Sequence, residues 1–119
     1  MPRDPLVYLQ DILAAIERIQ DYTQDVDLEG FRGDRRTSDA VLRNLEILGE
    51  AVKMVPESLR RRAPEIEWRK ISGLRDLLAH AYFEVDLDIA WDVVRNKLPT
   101  LARAVKRLFE TAEREERHG

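Results

Sequence analysis

The chain has 119 residues, 36% of them charged and 44% apolar, which suits one domain with its own core and excludes a second. Its 20 basic and 23 acidic residues give a net charge of -3, so no general basic surface recruits nucleic acid or anionic lipid. The absence of cysteine excludes disulfides, thiolate metal sites and cysteine nucleophiles. We therefore expect a single domain over residues 1–119.

The apolar residues recur at helical spacing and strand-like alternation is missing, which predicts an all-α fold. A first helix should begin at Asp4, a good N-cap followed by Pro5, and run to about Gln24. Residues 25–37 carry two glycines and mixed charges, which predicts a loop or a short irregular turn. The apolar stripe of the first helix consists of Leu6, Leu9, Ile12, Leu13, Ile16 and Ile19.

The second helix should be capped by Thr37 or Ser38 and end near Met54. Pro56 can open a short helix that ends near Arg62. The residues of the second helix that should face the core are Val41, Leu42, Leu45, Leu48 and Val52.

After a break at Pro64, a further helix should run from about Glu67 to Phe83. Asp86 should cap the next helix, and Pro99 should interrupt the pattern before a last helix. The tail from Glu113 is polar and should fray. Because each amphipathic stripe must be covered, we predict an antiparallel bundle of four longer helices plus one or two short ones.

No segment predicts export or a membrane span. Charges at Asp11, Glu17 and Arg18 interrupt the N-terminal helix, and no later segment approaches the roughly 20 apolar residues that a span needs. We expect a cytoplasmic protein without membrane contact. With only two histidines and no metalloprotease motif, we also expect no metal, and no sequence motif indicates a cofactor.

One segment, residues 71–83, holds polar side chains that packing does not require. On a helical wheel Arg75, His80 and Tyr82 lie off the apolar side, whereas Asp76 precedes His80 by one turn and can reach it. The residues that group as core are Ile71, Leu74, Leu77, Leu78 and Ala81.

Arg75, Asp76, His80 and Tyr82 form an R-x4-H-x-Y arrangement that resembles the HepT-like toxin family of the HEPN superfamily. The resemblance extends from about residue 5 to residue 109. It includes two further blocks, Arg43–Ala51 in the second helix and Val85–Leu87 with Trp91 and Leu98–Pro99 downstream. The motif alone is a weak signal, but the three blocks at these separations are a strong one.

The resemblance implies a metal-independent endoribonuclease that is the toxin of a toxin–antitoxin pair. It implies a helical homodimer with the motif residues in a cleft at the dimer interface. It also implies an MNT-type nucleotidyltransferase as antitoxin, which transfers AMP to the motif tyrosine, here Tyr82. Asp76 stands where the family often has asparagine, and it places a negative charge near the proposed phosphate site.

The residue types fit this chemistry independently. A histidine such as His80 can act as the base that deprotonates a ribose 2′-hydroxyl, and Arg75 can offset charge on the phosphoryl oxygens. Asp76 can fix the imidazole tautomer. However, Arg75 and His80 are about 140° apart around an ideal helix and about 7.5 Å apart along it. We therefore expect a two-fold dimer to complete the site and a monomer to be inactive.

A local basic patch with a net charge of +4 lies between residues 60 and 75. It can bind an RNA backbone, form a solvated helix face or face an acidic antitoxin, and these three interpretations stay open. The candidate RNA-binding residues are Arg60, Arg61, Arg62, Arg69 and Lys70.

Simpler interpretations also exist. His80 can be a surface histidine paired with Asp76, and Tyr82 can be half-buried core. Glu46 and Glu50 fit a solvated helix surface better than a metal site, because no Glu-x-x-His pairing accompanies them. The alternative function, of a different class, is a non-catalytic HEPN subunit that docks with a nucleotidyltransferase.

Overall fold

All the regular structure described in this chain is helical. The computed structural model describes residues 4–80 and 87–118, and side chains for residues 4–74 and 87–118. The elements are α1 (Pro5–Thr23), α2 (Leu28–Gly33), α3 (Arg35–Met54), α4 (Glu57–Arg60), α5 (Trp68–His80), α6 (Leu87–Asp92), a π-helical turn (Val93–Lys97) and α7 (Leu98–His118). The prediction of an all-α fold is confirmed.

The four longer helices α1, α3, α5 and α7 form the antiparallel bundle. Arg18, late in α1, donates a hydrogen bond to Asn44 in the first half of α3, and α1 packs along α3 and α7. α3 also packs along α5. At the other end of α1, Leu6 shares a cleft with Phe109 from the later part of α7. Helix α1 therefore runs opposite to both α3 and α7.

The core is built from the predicted apolar stripes. In α1, Leu9, Ile12, Ile16 and Ile19 are buried, while Leu6 and Leu13 are only partly buried. Each fully buried residue of this size contributes about 1.5–3 kcal/mol relative to an exposed one. The buried residues of α3 and α7 that meet this stripe include Val41, Leu45, Leu48, Val52, Leu101, Val105 and Leu108.

The first two long helices are both capped by aspartates, one as predicted and one not. Asp4 caps α1, accepting a hydrogen bond from the backbone N–H of Leu6 at 2.9 Å. The prediction that Thr37 or Ser38 caps the second long helix is wrong, because α3 begins at Arg35 with Asp34 as its N-cap. The Asp34 carboxylate accepts from the Thr37 hydroxyl at 2.8 Å, which places Thr37 in the first turn.

The segment 25–37, predicted as a loop or irregular turn, contains the short helix α2. Asp27 caps it by accepting from the Gly30 N–H at 2.8 Å. Phe31 is fully buried and lies 5.0 Å from the Trp91 ring, so this short helix covers one end of the core. Six residues carry too little periodicity for a helix to be recognised from sequence.

The prediction of a break at Pro99 is wrong. The chain stays helical from Leu87 to His118, and the Leu98 N–H bonds to the Val93 carbonyl oxygen in a π-helical turn. Because Pro99 lies inside this continuous helix, it has no N–H to offer to the preceding turn, and the regular i→i−4 bonding is interrupted at the π-helical turn directly before it. The wider turn accommodates Pro99 at the junction.

The π-helical turn also fastens the end of α1. The Arg95 guanidinium donates to the carbonyl oxygens of Thr23, at 3.2 Å, and Val26. It lies 4.5 Å from the centre of the Trp91 ring, so it contributes a cation–π contact as well. A cation at the carboxyl end of a helix also complements its dipole.

The remaining boundaries lie close to the predictions. α4 spans Glu57–Arg60 with Pro56 as its N-cap, and α5 begins one residue after the predicted Glu67. The tail predicted to fray from Glu113 continues as helix to His118, supported by an ion pair between Arg62 and Glu115 at 2.8 Å. The proposed cap Asp86 lies outside the described residues. Within the described ranges, no helix combines the length and the apolar character that a membrane crossing requires.

Candidate active site

The helix α5 carries three of the four motif residues. It begins at Trp68, whose indole N–H donates to the Ala63 carbonyl oxygen at 3.1 Å, and the Arg60 guanidinium lies 6.0 Å from the centre of the same ring. Ile71 is half-buried and packs against the core, and Leu74 is half-buried as well. The first turns of α5 are thus fixed to the core, and the helix projects from them towards His80.

Arg75, Asp76 and His80 lie in the last two turns of α5. Their side chains, and the whole of Tyr82, lie outside the described part of the chain. Because the backbone stays helical through His80, Asp76 and His80 are one turn apart on one face. Arg75 and His80 are about 140° apart around the axis and about 7.5 Å apart along it. Within a single chain, α5 therefore does not place Arg75 and His80 side by side.

The residues of the basic patch predicted from the sequence differ in the contacts that they make. Arg60 donates to the carbonyl oxygens of Val55 at 2.9 Å and Val52 at 2.8 Å, so its guanidinium closes the end of α3. Arg60 thus has a structural role. No sequence signal indicated this role, since the accepting oxygens come from the preceding helix.

Three other members of the patch are paired with glutamates. Arg61 lies 3.5 Å from Glu57, Arg62 lies 2.8 Å from Glu115, and Lys70 lies 2.7 Å from Glu67. The hydrogen bond from Lys70 lowers the pKa of the Glu67 carboxyl, and the same contact raises the pKa of Lys70. These carboxylates offset part of the positive charge.

Arg69 differs from the rest of the patch. It is exposed, and its guanidinium forms no ion pair or hydrogen bond with the described residues. Arg69 is therefore the member of the patch whose donors are available to a ligand within the described part of the structure.

A groove of about 360 Å³ lies between the start of α5 and the π-helical turn with α7. Its floor includes Ile71, Leu74 and Leu101, and its rim carries Lys70 and Lys97. A cleft of about 320 Å³ between α1 and α3 contains Glu46 and Glu50, and Glu46 is paired with Arg43 at 3.4 Å. Among residues 4–74 and 87–118, whose side chains the structure describes, no cluster of three or more potential ligands could hold a metal ion.

Comparison with known proteins shows to which family the chain belongs. The model of the family described as "Ribonuclease HepT-like" matches residues 12–108. The chain belongs to the HepT-like ribonuclease family. Membership of the HEPN superfamily follows, so the resemblance read from the motif blocks is confirmed at the level of the family.

Relatives of the HepT-like family match nearly the whole chain. A protein of Thermococcus cleftensis named "Probable ribonuclease HepT" is 43% identical over 108 residues, which are 91% of this chain and 98% of that protein. A protein of Methanocaldococcus jannaschii named as a "Putative RNase" is 38% identical over 117 residues, which are 98% and 97% of the two chains. No solved structure matches significantly. The matched range includes the R-x4-H-x-Y segment in and after α5.

Proposed function

We propose that this protein is a metal-independent endoribonuclease and the toxin of a toxin–antitoxin pair. The observation that carries the proposal is the full-length similarity to proteins named as ribonucleases, with R-x4-H-x-Y inside the matched range. Helix α5 supports the proposal, because Asp76 and His80 lie one turn apart near its end and its first turns are fixed to the core.

In the proposed reaction, His80 accepts the proton of a ribose 2′-hydroxyl while the 2′-oxygen attacks the neighbouring phosphorus. The bond to the 5′-oxygen of the next nucleotide breaks, and that oxygen takes up a proton. The products are a 2′,3′-cyclic phosphate and a 5′-hydroxyl. Arg75 offsets the negative charge on the phosphoryl oxygens, and Asp76 holds the imidazole in the productive tautomer.

The proposed active form is a homodimer. The register of α5 separates Arg75 from His80 by about 140° in one protomer, so one phosphate is reached more easily by groups from two helices. A two-fold axis brings two copies of the same segment together and supplies both residues to each cleft. The monomer is then inactive because each of its sites is incomplete.

The proposed regulator is an MNT-type nucleotidyltransferase that transfers AMP from ATP to Tyr82. The phenol oxygen attacks the α-phosphorus of ATP, pyrophosphate leaves, and the phenolic proton is released to a base. Tyr82 lies two residues after His80 in the sequence, so a bulky and negatively charged nucleotide there would block an RNA phosphate.

The decisive experiment compares two histidine variants. His80→Ala should lower RNA cleavage in EDTA by at least about 100-fold, because a general base typically contributes 10²–10⁴-fold. His118→Ala is the matched control, since His118 is the other histidine of the chain and lies exposed at the end of α7. Both variants should keep the wild-type melting temperature within a few degrees.

The outcome separates the two candidate functions. If His80→Ala cleaves RNA as well as His118→Ala does, the assignment of His80 as the base is wrong. If the wild-type protein cleaves no RNA and His80→Ala changes only nucleotidyltransferase binding, the protein is the non-catalytic docking subunit. For the regulatory step, mass spectrometry after incubation with the nucleotidyltransferase and ATP should find AMP on the wild type and none on Tyr82→Phe.

A further inference from the structure

One face of α5 leads from its exposed first turn to the proposed catalytic histidine. Arg69, Gly73, Asp76 and His80 follow one another at spacings of four, three and four residues. At about 100° per residue, their positions fall within about 60° of one another around the helix. We call this set the Arg69 face. It runs about 16.5 Å along the axis, at about 1.5 Å per residue.

The described members of the Arg69 face are open. Arg69 and Gly73 are both exposed, whereas Ile71, which lies elsewhere around the helix, is half-buried against the core. A Cβ atom built on Gly73 would meet no described atom within 4 Å. Packing with the described residues therefore does not require glycine here, although glycine lowers helix stability relative to alanine.

The chemistry of this face favours a nucleic-acid strand over another protein. The face carries no apolar side chain, whereas the centre of a protein interface is apolar and poor in charge. Arg69 offers guanidinium donors that no described carboxylate occupies, and guanidinium groups suit phosphate oxygens. The bare backbone at Gly73 leaves room for a sugar–phosphate chain to approach the helix closely.

We propose that the Arg69 face binds the RNA strand beyond the scissile phosphate, with Arg69 holding a distal phosphate and Gly73 leaving space for the strand between. This proposal rests on the proposed ribonuclease function and adds the path of its substrate. The distance from His80 to Arg69 corresponds to about five phosphates at the roughly 3.4 Å rise of a stacked strand. A substrate shorter than this cannot reach both residues.

The test uses a single-stranded RNA decamer with 2′-O-methyl groups, which binds without being cleaved. Arg69→Ala should raise its Kd about tenfold and reduce the magnitude of the slope of log K against log salt by about 0.7, the value for one phosphate contact on a single strand. The control is Arg114→Ala, which removes an exposed arginine of α7 that forms no ion pair with the described residues. It should leave both quantities unchanged.

A second variant separates binding from stability. Gly73→Ala should raise the melting temperature by a few degrees, because alanine is the better helix former and its Cβ meets no described atom. The same variant should weaken decamer binding several-fold. With cleavable RNA, Arg69→Ala should raise KM for a decamer, whereas Arg114→Ala should leave it unchanged.

The outcomes are distinct. Equal losses of affinity in Arg69→Ala and Arg114→Ala would show a general charge effect and overturn the proposal. A change in oligomer mass by sedimentation, with RNA affinity unaltered, would assign the face to a protein interface and overturn it too. Cleavage with wild-type decamer affinity in Arg69→Ala overturns this inference alone. Binding that depends on Arg69, without any cleavage, supports the path and overturns the ribonuclease function.

Discussion

Arg60 and Val52 are joined by a hydrogen bond of 2.8 Å from the guanidinium to the backbone oxygen, across the carboxyl end of α3. The last carbonyl groups of a helix have no partner within it, and Pro56, which follows this end, has no N–H to offer. Arg60 supplies donors to Val55 and Lys53 as well. Arg60, which the sequence suggested as an RNA-binding residue, therefore caps the carboxyl end of α3 in the fold.

We predict that Arg60→Ala lowers the free energy of unfolding by about 1.5–3 kcal/mol, the range for hydrogen bonds that involve a charged group. Arg61→Ala is the control, since Arg61 forms only an exposed contact with Glu57, and it should change stability by less than about 0.5 kcal/mol. Urea denaturation measures both values. Equal losses in the two variants would contradict the capping role of Arg60.

One buried amide joins α3 to α1 by a hydrogen bond. Asn44 accepts from the Arg18 Nε atom at 2.7 Å and donates to the Ala40 carbonyl oxygen at 2.9 Å. We predict that Asn44→Ala costs about 1–3 kcal/mol, because the buried Asn44 amide loses both its bond from the charged Arg18 and its bond to Ala40. Asn96→Ala removes an exposed contact to Asp92 and should be nearly neutral. A double-mutant cycle with Arg18→Ala should give a coupling above about 0.5 kcal/mol, and additive effects would contradict it.

The start of α3 should make stability depend on pH. Hydrogen bonds from the Thr37 side chain, and next from the Thr37 backbone N–H, hold the pKa of Asp34 below its ordinary value of 3.8. A carboxyl group whose pKa is lowered by folding stabilises the protein above its unfolded pKa and loses this effect as pH falls through the folded value.

We therefore predict that the melting temperature of the wild type exceeds that of Asp34→Asn most at pH 5 and above, and that the difference shrinks between pH 4 and pH 2. Asparagine caps helices without titrating in this range. Asp34→Ala, which keeps neither charge nor acceptor, should melt below Asp34→Asn at every pH. A difference between wild type and Asp34→Asn that is constant with pH would contradict the assignment.

The sequence predicted correctly those features of the fold that neighbouring residues decide. The Asp4 cap and the apolar stripe of α1 follow from neighbouring residues alone, and both are observed. The prediction for the cap of α3 was wrong because Asp34, Thr37 and Ser38 are all good capping residues and local sequence does not distinguish them; in the structure Asp34 is the cap and Ser38 is buried. The helix continues through Pro99 after a π-helical turn, and no pattern in the sequence predicted this turn.

The candidate site shows the same contrast between features that neighbouring residues decide and features that distant contacts decide. The motif spacing predicted that Asp76 and His80 lie one turn apart, since helical register is a local property, and α5 has this register. The structural role of Arg60 could not be predicted, because its acceptors belong to the preceding helix. How Arg75 and His80 reach one phosphate could not be predicted either, because the proposed site needs a second copy of the chain.

The separation of Arg75 and His80 on α5 leads to a complementation experiment. If each cleft takes Arg75 from one protomer and His80 from its partner, a mixed dimer of Arg75→Ala and His80→Ala contains one site with both residues intact. Random exchange of subunits makes half of the dimers mixed, so an equal mixture should recover roughly a quarter of wild-type RNA cleavage. Each variant alone should be inactive.

The control for this mixture is His80→Ala exchanged with a second, differently tagged His80→Ala protein, which should recover nothing. Exchange itself is followed by the appearance of doubly tagged dimers. If mixed dimers form and cleavage stays at the level of the single variants, both residues must act from the same protomer or every copy of both must be intact. In either case the cleft formed by one Arg75 and one His80 from two different protomers would be wrong.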